Sequence, residues 1–290
     1  MPRSGYAEIL KQLEAFFELC SMVGLRGHKQ GRFGSYQEHI RHLIEQVDAI
    51  RGGAAQGPLF AKLAPELPTF TESLAESLEV GRMIPFLSTF PSQVLKPLLT
   101  RVVRGPVLPS EEDSASNQAR NIQFELALGA KLARTGAAVC FGEPDLRCQI
   151  DGRPFMIACK RILSPARLND RIEEATKQVR RELRGLPDEV GGIVAISLSS
   201  VLASSDGKPA AIASKADGLK KMQLEIDDFV KNHTVWQKTR EAQGLLFLKT
   251  GMFTNYSTGR IDFGTFVVMH GTGPIVTAIA SSLEWESQLE

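Results

Sequence analysis

Apolar side chains return every three to four positions over the first hundred residues, the period of an amphipathic helix. Ile9, Leu13, Phe16, Phe17 and Cys20 share one such face; His39, Ile40, Leu43, Ile44 and Val47 share another. Shorter helical pieces are predicted near 70–80 and 91–103, separated by proline-bearing turns at Pro65, Pro68 and Pro85. The run 105–116, Gly-Pro-Val-Leu-Pro-Ser-Glu-Glu-Asp-Ser-Ala-Ser, resists regular structure and marks the best boundary. It separates an all-helical domain, residues 1–112, from a second domain, residues 113–290.

Beyond that boundary the pattern becomes mixed. Ser114 or Ser116 is placed to cap a long helix that runs to about Arg134 and stops at Gly136. Ala137–Phe141 reads as a short buried strand, 145–161 as a hairpin, and Ala166–Leu183 as a polar helix. Gly192–Leu202 is β-rich, 213–231 helical, Leu245–Phe253 and Thr265–Met269 extended, and Ile275–Leu289 a closing helix. The order helix, three strands, helix, strand implies an α/β domain with a layered sheet flanked by helices.

The hairpin is the most specific of these elements. Asp151-Gly152 suits a type I′ turn, which requires positive φ at both central residues. With those two residues as the turn, Leu146 faces Ile157 and Cys148 faces Phe155. Asp145 then falls opposite Ala158, with Lys160 on the diagonal and within reach of a long side chain. An acid, an alanine and a lysine therefore share the side of the hairpin that carries its polar residues.

Composition narrows the classes. The chain has 290 residues, 43% hydrophobic and 23% charged, as in soluble globular proteins. It lacks a membrane-length apolar run and a signal-peptide core at its start, so a cytoplasmic location without membrane contact is expected. Cys20, Cys140, Cys148 and Cys159 form no zinc-type pair and are expected to be reduced. Net charge is +1, unevenly spread: residues 113–185 hold 13 Lys and Arg against 9 Asp and Glu, whereas 1–112 balance at 12 and 12. The excess lies on the hairpin segment, as a phosphate-facing surface requires.

An acid–alanine–lysine cluster resembles a metal-dependent phosphodiesterase site lacking one ligand. Mg²⁺ favours a few carboxylates and supplies hydroxide near neutral pH; a neighbouring lysine orients the water and holds down the carboxylates' pKa values. On these residues, roughly 115–202, the chain resembles the PD-(D/E)xK nuclease superfamily. Pro144-Asp145 matches the family's Pro-Asp pair, Ala158-Cys159-Lys160 its acid-x-Lys element, and Glu125 the acid often supplied by the preceding helix. The resemblance implies a restriction-endonuclease-like mixed sheet flanked by helices. It further implies Mg²⁺ or Mn²⁺ held by Asp145 and Glu125, a water positioned by Lys160, and nucleic acid, DNA above all, contacted by Arg161, Lys177, Gln178 and Arg181. Residues 1–112 are left for recognition, a partner protein or homodimerisation.

Ala158 departs from the family's pattern, because a methyl group binds no metal. Three origins account for it: substitution of an original Glu to silence a toxic nuclease, a natural pseudonuclease, or migration of the acid to Glu143 or Glu174. The intact state of every other motif position favours the first, and a silenced site suits a self-harming nuclease of a bacterial defence or toxin system. The rival is a non-catalytic DNA-binding or scaffold protein on a decayed nuclease fold. Singly, each residue also has a plain structural role: Asp145 in a turn, Glu125 on a solvated helix face, Lys160 as an exposed edge charge. His39 and His42, three apart on a helix, read as boundary residues of an amphipathic face. The basic run Arg167–Arg184 reads equally well as a salt-bridged solvated helix and as a phosphate-contacting one.

Overall fold

A computed structural model describes residues 3–51, 65–113, 116–203, 210–233, 244–255 and 260–271. The chain forms two compact units. One holds Met1–Gln123 with Ser204–Ala213 and Met252–Phe263; the other holds Phe124–Ala203, Ser214–Gly251 and Gly264–Glu290. The division therefore falls inside a helix, downstream of the 112–113 boundary drawn from composition.

The N-terminal helical region consists of α1 (Arg3–Met22), α2 (Arg32–Arg51), α3 (Leu67–Leu87) and α4 (Ser92–Val102). Its core is the set of apolar faces visible in the sequence: Ile9, Leu13, Phe16, Phe17, Cys20, Ile40 and Leu43 are all buried. Phe16 packs on Phe33 with ring centroids 4.8 Å apart. α3 is longer than the helical piece expected at 70–80. Pro68 lies in its first turn, where no donor is needed, and Pro85 lies near its end, so neither interrupts it.

Within this unit a buried ionic network joins residues far apart in sequence. Arg32 is fully buried; its Nε donates to Val102 O at 2.9 Å, its Nη1 to Glu76 Oε2 at 2.9 Å and its Nη2 to Gln123 Oε1. Arg120 donates to the other oxygen of Glu76 at 3.0 Å and to both Tyr36 Oη and Val107 O at 2.8 Å. Tyr36 in turn donates to Val107 O. Glu76 is the carboxylate shared by both guanidiniums.

Beside this network stands Glu72, its Oε2 buried without a hydrogen-bond partner. Burial raises its pKa to about 7, opposed by Arg120 and reinforced by Glu76 and Glu111. A carboxyl whose folded pKa lies above its unfolded value stabilises the fold when protonated. That contribution is complete below pH 4.5, the ordinary value, and is lost as pH rises through about 7. Glu72→Gln is expected to flatten this loss. Urea midpoints at pH 5 and pH 8 check it; an unchanged difference between the two would rule out Glu72 as its source.

The second unit is α/β. α5 (Gln118–Arg134) leads into β1 (Ala138–Phe141), β2 (Leu146–Ile150) and β3 (Arg153–Arg161), followed by α6 (Leu168–Leu183), β4 (Gly191–Ser197) and α7 (Lys215–Asn232). β6 (Gly244–Asn255) and β7 (Arg260–Gly271) extend the mixed sheet in the order β1-β2-β3-β4-β6, with β7 paired to β6; β5 (Ala210–Ile212) belongs to the first unit and pairs with Phe253–Asn255, the end of β6 that falls in the same unit. β1–β2 and β2–β3 are antiparallel; β3–β4 and β4–β6 are parallel. Ser116 does not serve as the cap of α5: its hydroxyl donates to Asp113 Oδ1 and accepts from Asp113 N. Ser114 and the helix expected at 275–289 lie outside the described residues. No described helix is long and apolar enough to cross a membrane.

The hairpin has the geometry its sequence dictates. Asp151 and Gly152 have φ of 49° and 78°, and Leu146 pairs with Ile157 and Cys148 with Phe155. β3 is interior, between β2 and β4, and from Phe155 to Cys159 it is buried on both faces. Phe155, Ile157 and Cys159 join Phe124, Leu128 and Leu132 of α5 in one apolar cluster. Met156 and Ala158 point the other way and are buried as well, Ala158 in a cluster with Ile172, Ala175 and Val179 of α6 and Val194 of β4. A strand paired on both edges and covered on both faces reads as an unbroken apolar run.

α6 packs tightly on the sheet at Gly192. A Cβ there would lie 2.5 Å from Val179 Cγ1 and 2.7 Å from Leu183 Cδ1. Gly192→Val is expected to lift α6 and cost about 1–3 kcal/mol by overpacking. Denaturant unfolding of the variant measures this; a stability equal to the parent's would show that α6 yields freely.

Candidate functional site

Asp145 immediately precedes β2, and the hairpin register sets it across from Ala158. Its Oδ2 accepts a 2.6 Å hydrogen bond from the Cys159 backbone N–H. Its Oδ1 accepts from Gln178 Nε2 at 3.3 Å, and the same nitrogen donates to Pro144 O at 2.5 Å. The Gln178 Oε1 accepts from Lys160 Nζ at 2.9 Å. One amide thus bridges the acid and the lysine, so Gln178 is turned into the cluster and away from the outer face of α6. Sequence spacing offers no route to this bridge: the partners lie 33 and 18 residues apart and meet only because α6 crosses over β3.

Glu174, one turn before Gln178, lies 3.9 Å from Lys160 Nζ and 2.7 Å from Arg171. Of the two migrated acids weighed from the sequence, Glu174 is the one beside the lysine. Glu143 pairs with Arg181 at 3.4 Å, with both side chains more than half exposed. Lys177 points outward, 2.5 Å from Glu173 and largely solvated. Arg161 extends past the end of β3 and donates to Ser200 Oγ at 3.1 Å. Lys160 is half-buried on an interior strand, not an edge charge.

Burial raises the Asp145 pKa; the Cys159 N–H, Lys160 and Gln178 pull it down, and Glu143 adds to the rise. The Cys159 thiol is pushed well above its ordinary value by burial first, then by the charges of Asp145 and Glu125. Both carboxylates therefore act on the same buried thiol, Asp145 from the start of β2 and Glu125 from α5. The four cysteines are free.

Mg²⁺ requires anionic oxygen donors directed at one point. Asp145 has each oxygen committed to an N–H donor, Ala158 contributes a methyl group, and Glu125 is the remaining motif acid. Among the described residues no group of three or more His, Cys, Asp and Glu side chains is arranged to hold a metal ion. The residues present do not fit the ion. Comparison with protein families, with curated proteins and with solved structures finds no match for this chain.

Proposed function

We propose that this protein is a nuclease of the PD-(D/E)xK type, acting on DNA, whose cleavage site is silenced at position 158. The single observation that supports it most is the hydrogen-bonded array Asp145–Gln178–Lys160 at the end of the hairpin, with Ala158 in register beside it. A plain turn aspartate and a plain strand lysine have no need of a shared amide. The element order α5-β1-β2-β3-α6-β4 is also the one the resemblance implies for a restriction-endonuclease-like core. In this reading Asp145, Glu125 and an acid at 158 form the donor set for Mg²⁺ or Mn²⁺. Lys160 then orients the nucleophilic water, and Gln178 keeps the lysine and Asp145 in fixed relation.

As it stands the chain binds DNA without cutting it, and a place in a bacterial defence or toxin system follows from the advantage of silencing such an activity. The deciding experiment restores an acid at 158 in the full chain and supplies Mg²⁺ with supercoiled DNA. A folded, DNA-binding variant that never nicks the substrate sinks the catalytic reading and leaves the non-catalytic DNA-binding protein in its place.

A further inference from the structure

β3 and β4 run parallel and end together, Arg161 beside Ser197 and Ser197 beside Leu248 in the middle of the parallel strand β6, and the C-terminal ends of parallel strands are where open α/β sheets present ligand crevices. The residues gathered there are polar: Lys160 and Arg161 from β3, Ser197, Ser199 and Ser200 at and beyond the end of β4, and Thr250 from β6. Arg161 lies across from Ser197 in the ladder, and Leu198 N donates to Leu248 O, which holds the turn after β4 against β6.

The hydroxyls at this end are polarised in one sense. Ser199 Oγ accepts from Thr250 N at 3.0 Å and from Ser197 Oγ at 3.4 Å. Ser200 Oγ accepts from Arg161 Nη2 at 3.1 Å. A serine hydroxyl has two acceptor sites and one proton. Protein donors occupy at least one acceptor site of each serine, and no acceptor among the described residues takes the proton of either. Two adjacent, partly exposed O–H donors next to a guanidinium suit a ligand rich in anionic oxygen acceptors.

We infer that Ser199 and Ser200, with Arg161, form a phosphate-binding subsite at the strand ends, taking a backbone phosphate of the nucleic acid beside Lys160. This rests on the nuclease reading above and names part of the surface that holds its substrate. The arrangement is preformed: Ser199 is tied to β6 through Thr250 N, and Ser200 to β3 through Arg161. The subsite carries register along the strand and no base sequence information.

Fluorescence anisotropy of a labelled DNA duplex with the full chain, repeated over a range of salt, tests this. Ser200→Ala, which loses a single bond among the described residues, that to Arg161, is expected to weaken binding about tenfold with an unchanged dependence on salt, because a hydroxyl displaces no counterion. Arg161→Gln is expected to weaken it and to lower the slope of log Kd against log salt by about 1. Ser200→Glu, which places a carboxylate beside Arg161, is expected to abolish binding. Circular dichroism on each variant secures the fold. If the parent chain binds and all three variants match it, the subsite is wrong while the nuclease reading stands. A parent chain that binds no DNA overturns both.

Discussion

Ala158→Glu is expected to nick supercoiled DNA in Mg²⁺ at least about a hundredfold faster than the parent chain, the smallest gain a completed general-acid–base and metal site confers. The expectation rests on register. Residue 158 shares its face of β3 with Lys160 and lies opposite Asp145 in the register, so a carboxylate there joins the side of the hairpin that carries both. The same position is fully buried among Ile172, Ala175 and Val179. Burying an unpaired carboxylate is costly, and Lys160 is the cation within reach to offset it. The variant should therefore unfold at a lower temperature than the parent without divalent ion and regain part of the loss with it. Cleavage that vanishes in the Asp145→Ala and Lys160→Met backgrounds would tie the activity to this array. Cleavage that survives both would mean that the nuclease is elsewhere or is a contaminant.

Glu76→Ala is expected to destabilise the helical region by about 3–5 kcal/mol, because it leaves Arg32 and Arg120 buried without the carboxylate they share. Their side chains are 0% and 2% exposed, so water cannot take over its role. A fall in Tm of about 10 °C for the helical transition, followed by circular dichroism at 222 nm, corresponds to that loss. Glu76→Gln should lose less, since an amide oxygen still accepts from one guanidinium. A fall of less than about 2 °C for Glu76→Ala would show that Glu112, 3.3 Å from Arg120 Nη1, and Gln123 suffice to satisfy the two arginines.

The parts of the molecule legible in the sequence are those decided over short distances. The faces of α1 and α2 repeat at helical spacing, and the Asp151-Gly152 turn fixes a period-2 register, so Leu146–Ile157 and Cys148–Phe155 follow directly. Element extents were less accessible: α3 runs through Pro85 because a proline near a helix end removes one bond only. Burial of Ala158 was not legible, since a strand's second face is covered or open according to what packs on it, and α6 is a distant element. For the same reason Gln178, expected only as a nucleic-acid contact, gave no sign that its amide reaches Asp145 and Lys160. Two buried arginines sharing Glu76 gave no sequence signal, because Lys and Arg on helices are ordinarily solvated. The charge excess in 113–185 pointed to a phosphate-facing surface, but the hydroxyl row at Ser199 and Ser200 carries no charge and escaped that measure.

The two-residue turn at Asp151-Gly152 also sets an order of assembly. Bringing Asp145 to Lys160 closes only the hairpin between them, a small entropic cost that local contacts repay at once. Gln178 must wait for α6 to form and cross the sheet, and Ser199 for the parallel pairing of β4 with β6, whose partners are remote in sequence. Of the contacts at the site, the approach of Asp145 to Lys160 therefore closes the shortest loop, and those of Gln178 and Ser199 depend on more distant parts of the chain.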